Sequence, residues 1–142
     1  MLPTFETGNY IIVDELSYRL EEPQRGEVVI FKYPNDPKQY FIKRIIALPN
    51  ETIEIKNGEI YIKNQKYPEG FQLEEEYIVF RKEDSFNLNL SDDEYFVMGD
   101  NRPASSDSRI WGALPRDLIV GRAFIRLLPI SEIDILPGDR SK

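Results

Sequence analysis

The sequence contains no histidine and no cysteine. The first absence removes the Ser-His-Asp triad, the Cys-His dyad and every histidine-ligated zinc arrangement. The second removes thiolate nucleophiles, thiolate metal sites and disulfides. Any hydrolytic chemistry must therefore run on carboxylates, lysine, hydroxyls or a hard cation held by oxygen. Long basic runs are missing too, and the net charge is −7. Without clustered cations to neutralise a phosphate backbone, no nucleic-acid partner is expected. No stretch approaches the roughly 18 consecutive apolar residues that a membrane span needs, and no secretory leader pattern opens the chain.

What is present suffices for a core. A chain of 142 residues, 41% hydrophobic and 12% aromatic, suits one domain with a small insertion. The apolar runs are short, rich in Ile, Val, Phe and Tyr, and divided by Gly, Pro and Asn-Asp clusters. That pattern predicts an all-β fold, with strands over 10–13, 27–33, 40–47, 52–56, 59–63, 77–80, 94–98 and 120–127. Asn57-Gly58 between two alternating runs predicts a two-residue hairpin turn, because both residues tolerate positive φ. Pro34-Asn35-Asp36-Pro37 predicts a second turn. Helix signals are weak, amounting to one turn near Leu114–Leu118. The stretch 69–90 carries Glu74, Glu75, Glu76, Glu83 and Asp84 and reads as an exposed insertion. Residues 131–142 read as a tail.

Three segments could carry chemistry. The loop Gly99-Asp100-Asn101-Arg102-Pro103-Ala104-Ser105-Ser106-Asp107-Ser108-Arg109 crowds acids, arginines and hydroxyls behind an apolar strand. A solvated loop is the plainer reading, but the following Ile110-Trp111-Gly112 should anchor it on the core. Charges held there must pair, so Asp107 is expected to hydrogen-bond Arg109 or Arg102. In Tyr40-Phe41-Ile42-Lys43-Arg44-Ile45-Ile46, strand alternation puts Lys43 on the face of Phe41 and Ile45, and Arg44 on the other. Such charges commonly protect an edge strand. A lysine desolvated by Phe41 and Ile45 would instead lose part of its proton affinity and could serve as a general base. The third segment is Met1-Leu2-Pro3-Thr4-Phe5, which by itself suggests no more than a strand entry.

Together these segments resemble the bacterial type I signal peptidases, the serine–lysine dyad family. Met1-Leu2-Pro3-Thr4 is similar to the end of the family's Ser-Met-x-Pro-Thr motif. Ile42-Lys43-Arg44-Ile45-Ile46-Ala47-Leu48-Pro49 matches its lysine strand, and Gly99–Arg109 matches its Gly-Asp-Asn-Arg loop at every fixed position. Arg25-Gly26-Glu27-Val28-Val29-Ile30-Phe31 agrees as well; Asn50-Glu51 after Pro49 departs mildly.

The resemblance implies bent antiparallel sheets with a small inserted β subdomain, here about 57–92 within a catalytic domain spanning 1–142. It implies a serine endopeptidase that removes signal peptides from exported preproteins at small-x-small sites, with no cofactor and no metal. Lys43 would be the general base. The nucleophilic serine would stand immediately before Met1, so the chain as written is expected to be inactive. Ser105 would orient Lys43, Asp107 and Arg109 would brace the loop, and Arg44 would face away and pair elsewhere. Met1, Phe5, Ile11, Ile30, Phe41 and Ile42 would line the pocket for small side chains. The implied location is the cell membrane, through a single N-terminal anchor, with the catalytic domain on the extracytoplasmic side. Two other readings compete. One is a self-cleaving repressor-type serine–lysine peptidase; the other is a non-catalytic β module binding through Ser105, Asp107 and the acidic insertion.

Overall fold

The computed structural model describes residues 1–128 and 134–141. Its strands are β1 (Tyr10–Asp14), β2 (Val28–Tyr33), β3 (Asp36–Ala47), β4 (Thr52–Lys56), β5 (Glu59–Lys63), β6 (Phe71–Gln72), β7 (Phe86–Asn89), β8 (Glu94–Met98), β9 (Leu114–Pro115), β10 (Ile119–Leu128) and β11 (Asp134–Ile135). One sheet runs β1-β10-β2-β3-β8-β9, with β11 added on β10; the other runs β6-β5-β4-β7. The fold is mainly β and antiparallel, as the spacing of apolar runs and turns predicts. Two single-turn helices, α1 (Ser17–Leu20) and α2 (Ser108–Trp111), join the strands, and the turn foreseen near Leu114–Leu118 is a 3-10 helix at Arg116–Leu118. No helix among the described residues is long and apolar enough to cross a membrane.

Turn chemistry sets the hairpins. Asn57 and Gly58 adopt φ values of 51° and 78° and pair Lys56 with Glu59, which places Ile53, Ile55, Ile60 and Ile62 on one face. Those isoleucines are buried with Ile46 and Ala47 of β3 and Phe96 and Met98 of β8. Burying one such side chain contributes about 1.5–3 kcal/mol, so this cluster fastens the second sheet to the first. Pro34-Asn35 turns β2 into β3, which lays Val29 opposite Lys43 and Ile30 opposite Ile42. A register shift between Ile45 and Ala47 where β3 meets β8 bends β3. The bend lets Ile46 and Ala47 bury in the same cluster while Ile45 packs in the other, where strict alternation would put Ile46 and Ala47 on opposite faces.

Three expectations are corrected. Residues 77–80 form no strand: the Ile78 amide closes a turn on the Glu75 carbonyl at 3.1 Å, and Tyr77 covers the Arg44 guanidinium at 4.2 Å. Those contacts override the β propensity of Tyr-Ile-Val-Phe. The insertion is also not purely a solvated acidic surface, because Glu75 is buried against Arg102. Within the predicted tail, β11 pairs with β10, Pro137 is buried, and the Gly138 carbonyl accepts from Arg44. Residues 129–133 and 142 lie outside the described residues.

Candidate active site

Lys43 sits midway along β3, half-buried, with Val29 opposite. Alternation predicts Phe41 as its neighbour, and Nζ lies 5.7 Å from the centre of that ring. Facing it is the turn at the end of β8. A methyl group placed on Gly99 would fall 2.2 Å from the Ser105 Oγ and 3.5 Å from the Lys43 Nζ. Gly99 is thus the floor on which lysine and serine meet, and only a residue without a side chain leaves room for Ser105 there. The chain's beginning reaches the same place. The Met1 amino group lies below its ordinary value of 8.0, first through burial and then through repulsion from Lys43.

The serine-rich loop is held by hydrogen bonds. The Gly99 amide donates to the Ser105 Oγ and to the Asp107 carboxylate, each at 3.1 Å. Asp107 accepts from Arg109 through Nε at 2.9 Å and a terminal nitrogen at 2.8 Å, and it caps α2 by accepting from the Arg109 amide. Burial alone would raise the Asp107 pKa. Hydrogen bonds from Arg109, Ser105 and the Gly99 amide outweigh it and hold the carboxyl below its ordinary value. Of the two partners expected for Asp107, the structure selects Arg109. Arg102 instead donates to the Gly99 carbonyl at 3.0 Å and pairs with Glu75. Ser105 and Lys43 are brought together, although among the described residues no direct hydrogen bond joins them.

Arg44 leaves on the opposite face and is fully buried. It forms a forked pair with Asp100, Nε to Oδ1 at 2.9 Å and a terminal nitrogen to Oδ2 at 2.7 Å. It also donates to the Gly26 carbonyl at 2.9 Å and to that of Gly138. Asp100 accepts in turn from the Thr4 hydroxyl. The segment after Met1, the lysine strand and the loop thus converge on one buried ion pair. Sequence pattern alone does not single out Asp100 or Thr4, though both stand inside the motifs that mark the site.

Five of the six predicted pocket residues share one apolar cluster: Phe5 is buried with Val28 and Ala123, and Met1, Ile11, Ile30 and Ile42 pack on it half-buried. Phe41 lies in a different cluster, stacked on Tyr33 with ring centres 4.5 Å apart. Among the described residues no group of His, Cys, Asp and Glu is arranged to hold a metal ion.

Burial is the largest influence on Lys43 and pulls its pKa down. The Asp107 and Asp100 charges pull it up and that of Arg109 down, leaving it below the ordinary 10.5. A base on Nζ requires the neutral amine, so any reaction that uses it should rise with pH as Lys43 loses its proton, with a midpoint below 10.5. Between its folded and unfolded pKa the unfolded chain binds the extra proton, so Lys43 opposes folding at lower pH and that penalty fades as pH climbs through this window. A pH profile of kcat/KM checks the first point. A profile with no ionisation below 10.5 would contradict it.

Gly99→Ala tests the floor. The added methyl must displace Ser105, whose Oγ and Cβ it would approach to 2.2 Å and 2.7 Å, and a misplacement of about 1 Å can cost about a hundredfold in rate. We expect a loss of that order in kcat, with circular dichroism unchanged.

The chain matches the family model described as "Signal peptidase, peptidase S26" over residues 1–128. It is 41% identical to the "Probable signal peptidase I-1" of Synechocystis sp. over 141 residues, covering 92% of this chain and 68% of that protein. To the "Probable signal peptidase I-2" of the same organism it is 37% identical over 149 residues, covering 100% of this chain and 65% of that one. The crystal structure of a signal peptidase I from Enterococcus faecalis superposes with a TM-score of 0.62 at 30% identity, covering 72% of this chain and 97% of that one. The chain spans about two thirds of the length of the curated relatives it matches.

Proposed function

Because this chain belongs to the signal peptidase, peptidase S26 family, we propose that it forms the catalytic domain of a serine–lysine endopeptidase that removes signal peptides from exported preproteins. One observation carries the reading: the half-buried Lys43 Nζ meets Ser105 over Gly99, within electrostatic reach of the Met1 amino group. A serine joined directly ahead of Met1 would bring its hydroxyl toward a lysine already depressed in pKa.

In the proposed reaction, Lys43 accepts the serine hydroxyl proton as the oxygen attacks the scissile carbonyl. The backbone amide at that serine stabilises the developing oxyanion. Lys43 then passes the proton to the leaving amine, and the acyl group stays on the serine as an ester. A water, deprotonated by Lys43, attacks the ester and releases the acid, and the proton returns to the serine oxygen. Ser105 and Asp107 keep Lys43 facing the reacting atoms, and Arg109 holds Asp107. The half-buried Met1, Ile11, Ile30 and Ile42 around Phe5 offer an apolar recess for small side chains of an Ala-x-Ala-like substrate, with Phe41 at its margin. We further propose a location at the membrane, with this domain on the extracytoplasmic side, and we read 57–92 as the inserted subdomain.

The test is to express the protein with serine directly before Met1 and incubate it with an Ala-x-Ala peptide. Mass spectrometry should find an acyl group on that serine. Absence of both acyl-enzyme and cleavage, with Lys43 intact and the protein folded, would sink the reading.

A further inference from the structure

The mechanism leaves one buried feature unused: two carboxylates of the inserted segment reach into the serine-rich loop and pair with its arginines. Glu75 meets Arg102 in a forked contact with one arm at 3.0 Å, and both side chains are 4% exposed. The Arg102 amide donates to the Phe80 carbonyl at 3.3 Å. Asp84 accepts from Arg109 at 2.8 Å, and Arg109 also donates to the Arg102 carbonyl at 2.8 Å. The other end of the segment is fixed to the second sheet, because the Gly58 amide donates to the Asp84 carbonyl at 3.0 Å.

Both lines end on one residue. Glu75 orients Arg102, whose Nε holds the Gly99 carbonyl at 3.0 Å. Asp84 orients Arg109, which holds Asp107, whose carboxylate takes the Gly99 amide at 3.1 Å. Gly99 is therefore held at both its amide and its carbonyl by loop side chains that the carboxylates of the insertion orient. It is also the residue over which Lys43 and Ser105 meet.

We infer that segment 75–84 braces the active site, with Glu75 and Asp84 as positioning residues for the peptidase reaction proposed above, on which this inference rests. Buried pairs that lose one partner leave an uncompensated charge. In Glu75→Gln, Arg102 loses its counter-ion and one of its two acceptor oxygens. In Asp84→Asn, Arg109 is left with Asp107 as its one counter-ion among the described residues. Each arginine shifts, and Gly99 moves with it. The loss falls on geometry at the reacting atoms rather than on substrate contacts.

The experiment uses the full-length protein with serine ahead of Met1, uniformly labelled with 15N-glycine. Assays run at a temperature at which circular dichroism finds every variant folded. Glu75→Gln and Asp84→Asn are expected to lower kcat by about tenfold to a hundredfold, leave KM within about twofold and shift the Gly99 amide resonance. Glu75→Asp and Asp84→Glu should recover part of the kcat, and Glu76→Gln, on an exposed neighbour, should change nothing. An unmoved Gly99 amide, or a kcat equal to that of an active parent, would overturn the inference. A shifted Gly99 amide in a parent that cleaves nothing would instead refute the peptidase reading and leave the brace standing.

Discussion

In the protein carrying a serine directly before Met1, replacing Lys43 with methionine should reduce cleavage by about 10²–10⁴-fold, the usual contribution of a general base, while leaving the protein at least as stable as before. The two halves of this expectation come from one cause. The ammonium is half-buried beside Phe41 and makes no salt bridge among the described residues. Burying a cation without a partner costs free energy, and methionine fills similar space without it. A structural lysine would give the reverse, with stability falling and activity following only as folded protein is lost. Steady-state kinetics alongside thermal melting separates the two.

The second large effect falls on stability. Asp100→Ala strips the partner from Arg44, whose side chain and that of Asp100 are both 0% exposed. Breaking a buried pair from one side typically costs about 3–5 kcal/mol. For a chain of this size that corresponds to a fall in Tm on the order of 10 °C. The loss should exceed that of the surface pair Lys56–Glu54, for which a few tenths of a kcal/mol is usual. Activity should fall as well, because Asp100 holds Thr4 and so the segment that leads from Met1. Urea denaturation with substrate kinetics reads both. A Tm within about 2 °C of the parent would show that the convergence of Arg44, Asp100 and Thr4 does not hold these segments together.

Much of this was legible in the sequence. Asn57-Gly58 and Pro34-Asn35-Asp36-Pro37 announce their hairpins through turn-forming residues, although Asp36 and Pro37 already belong to β3. The faces of Lys43 and Arg44 follow from alternation alone, and the absence of histidine narrows the bases available. What escaped reading depends on distant partners. Asp100 reads as one more polar loop residue until Arg44, 56 positions earlier, arrives beside it. Glu75 is one acid among three, and only burial against Arg102 distinguishes it from Glu74 and Glu76, both exposed. Tyr77 has strand-like neighbours but spends its ring on Arg44. The docking of 134–140 leaves no local signature, since it rests on carbonyls such as those of Gly26 and Gly138 rather than on side-chain pattern.

The account depends on Lys43 holding its proton weakly, and that is open to direct measurement. Following the 15Nζ resonance of Lys43 through a pH titration should place its midpoint below 10.5, and Arg109→Met should raise it. A midpoint at or above 10.5 would contradict the central claim.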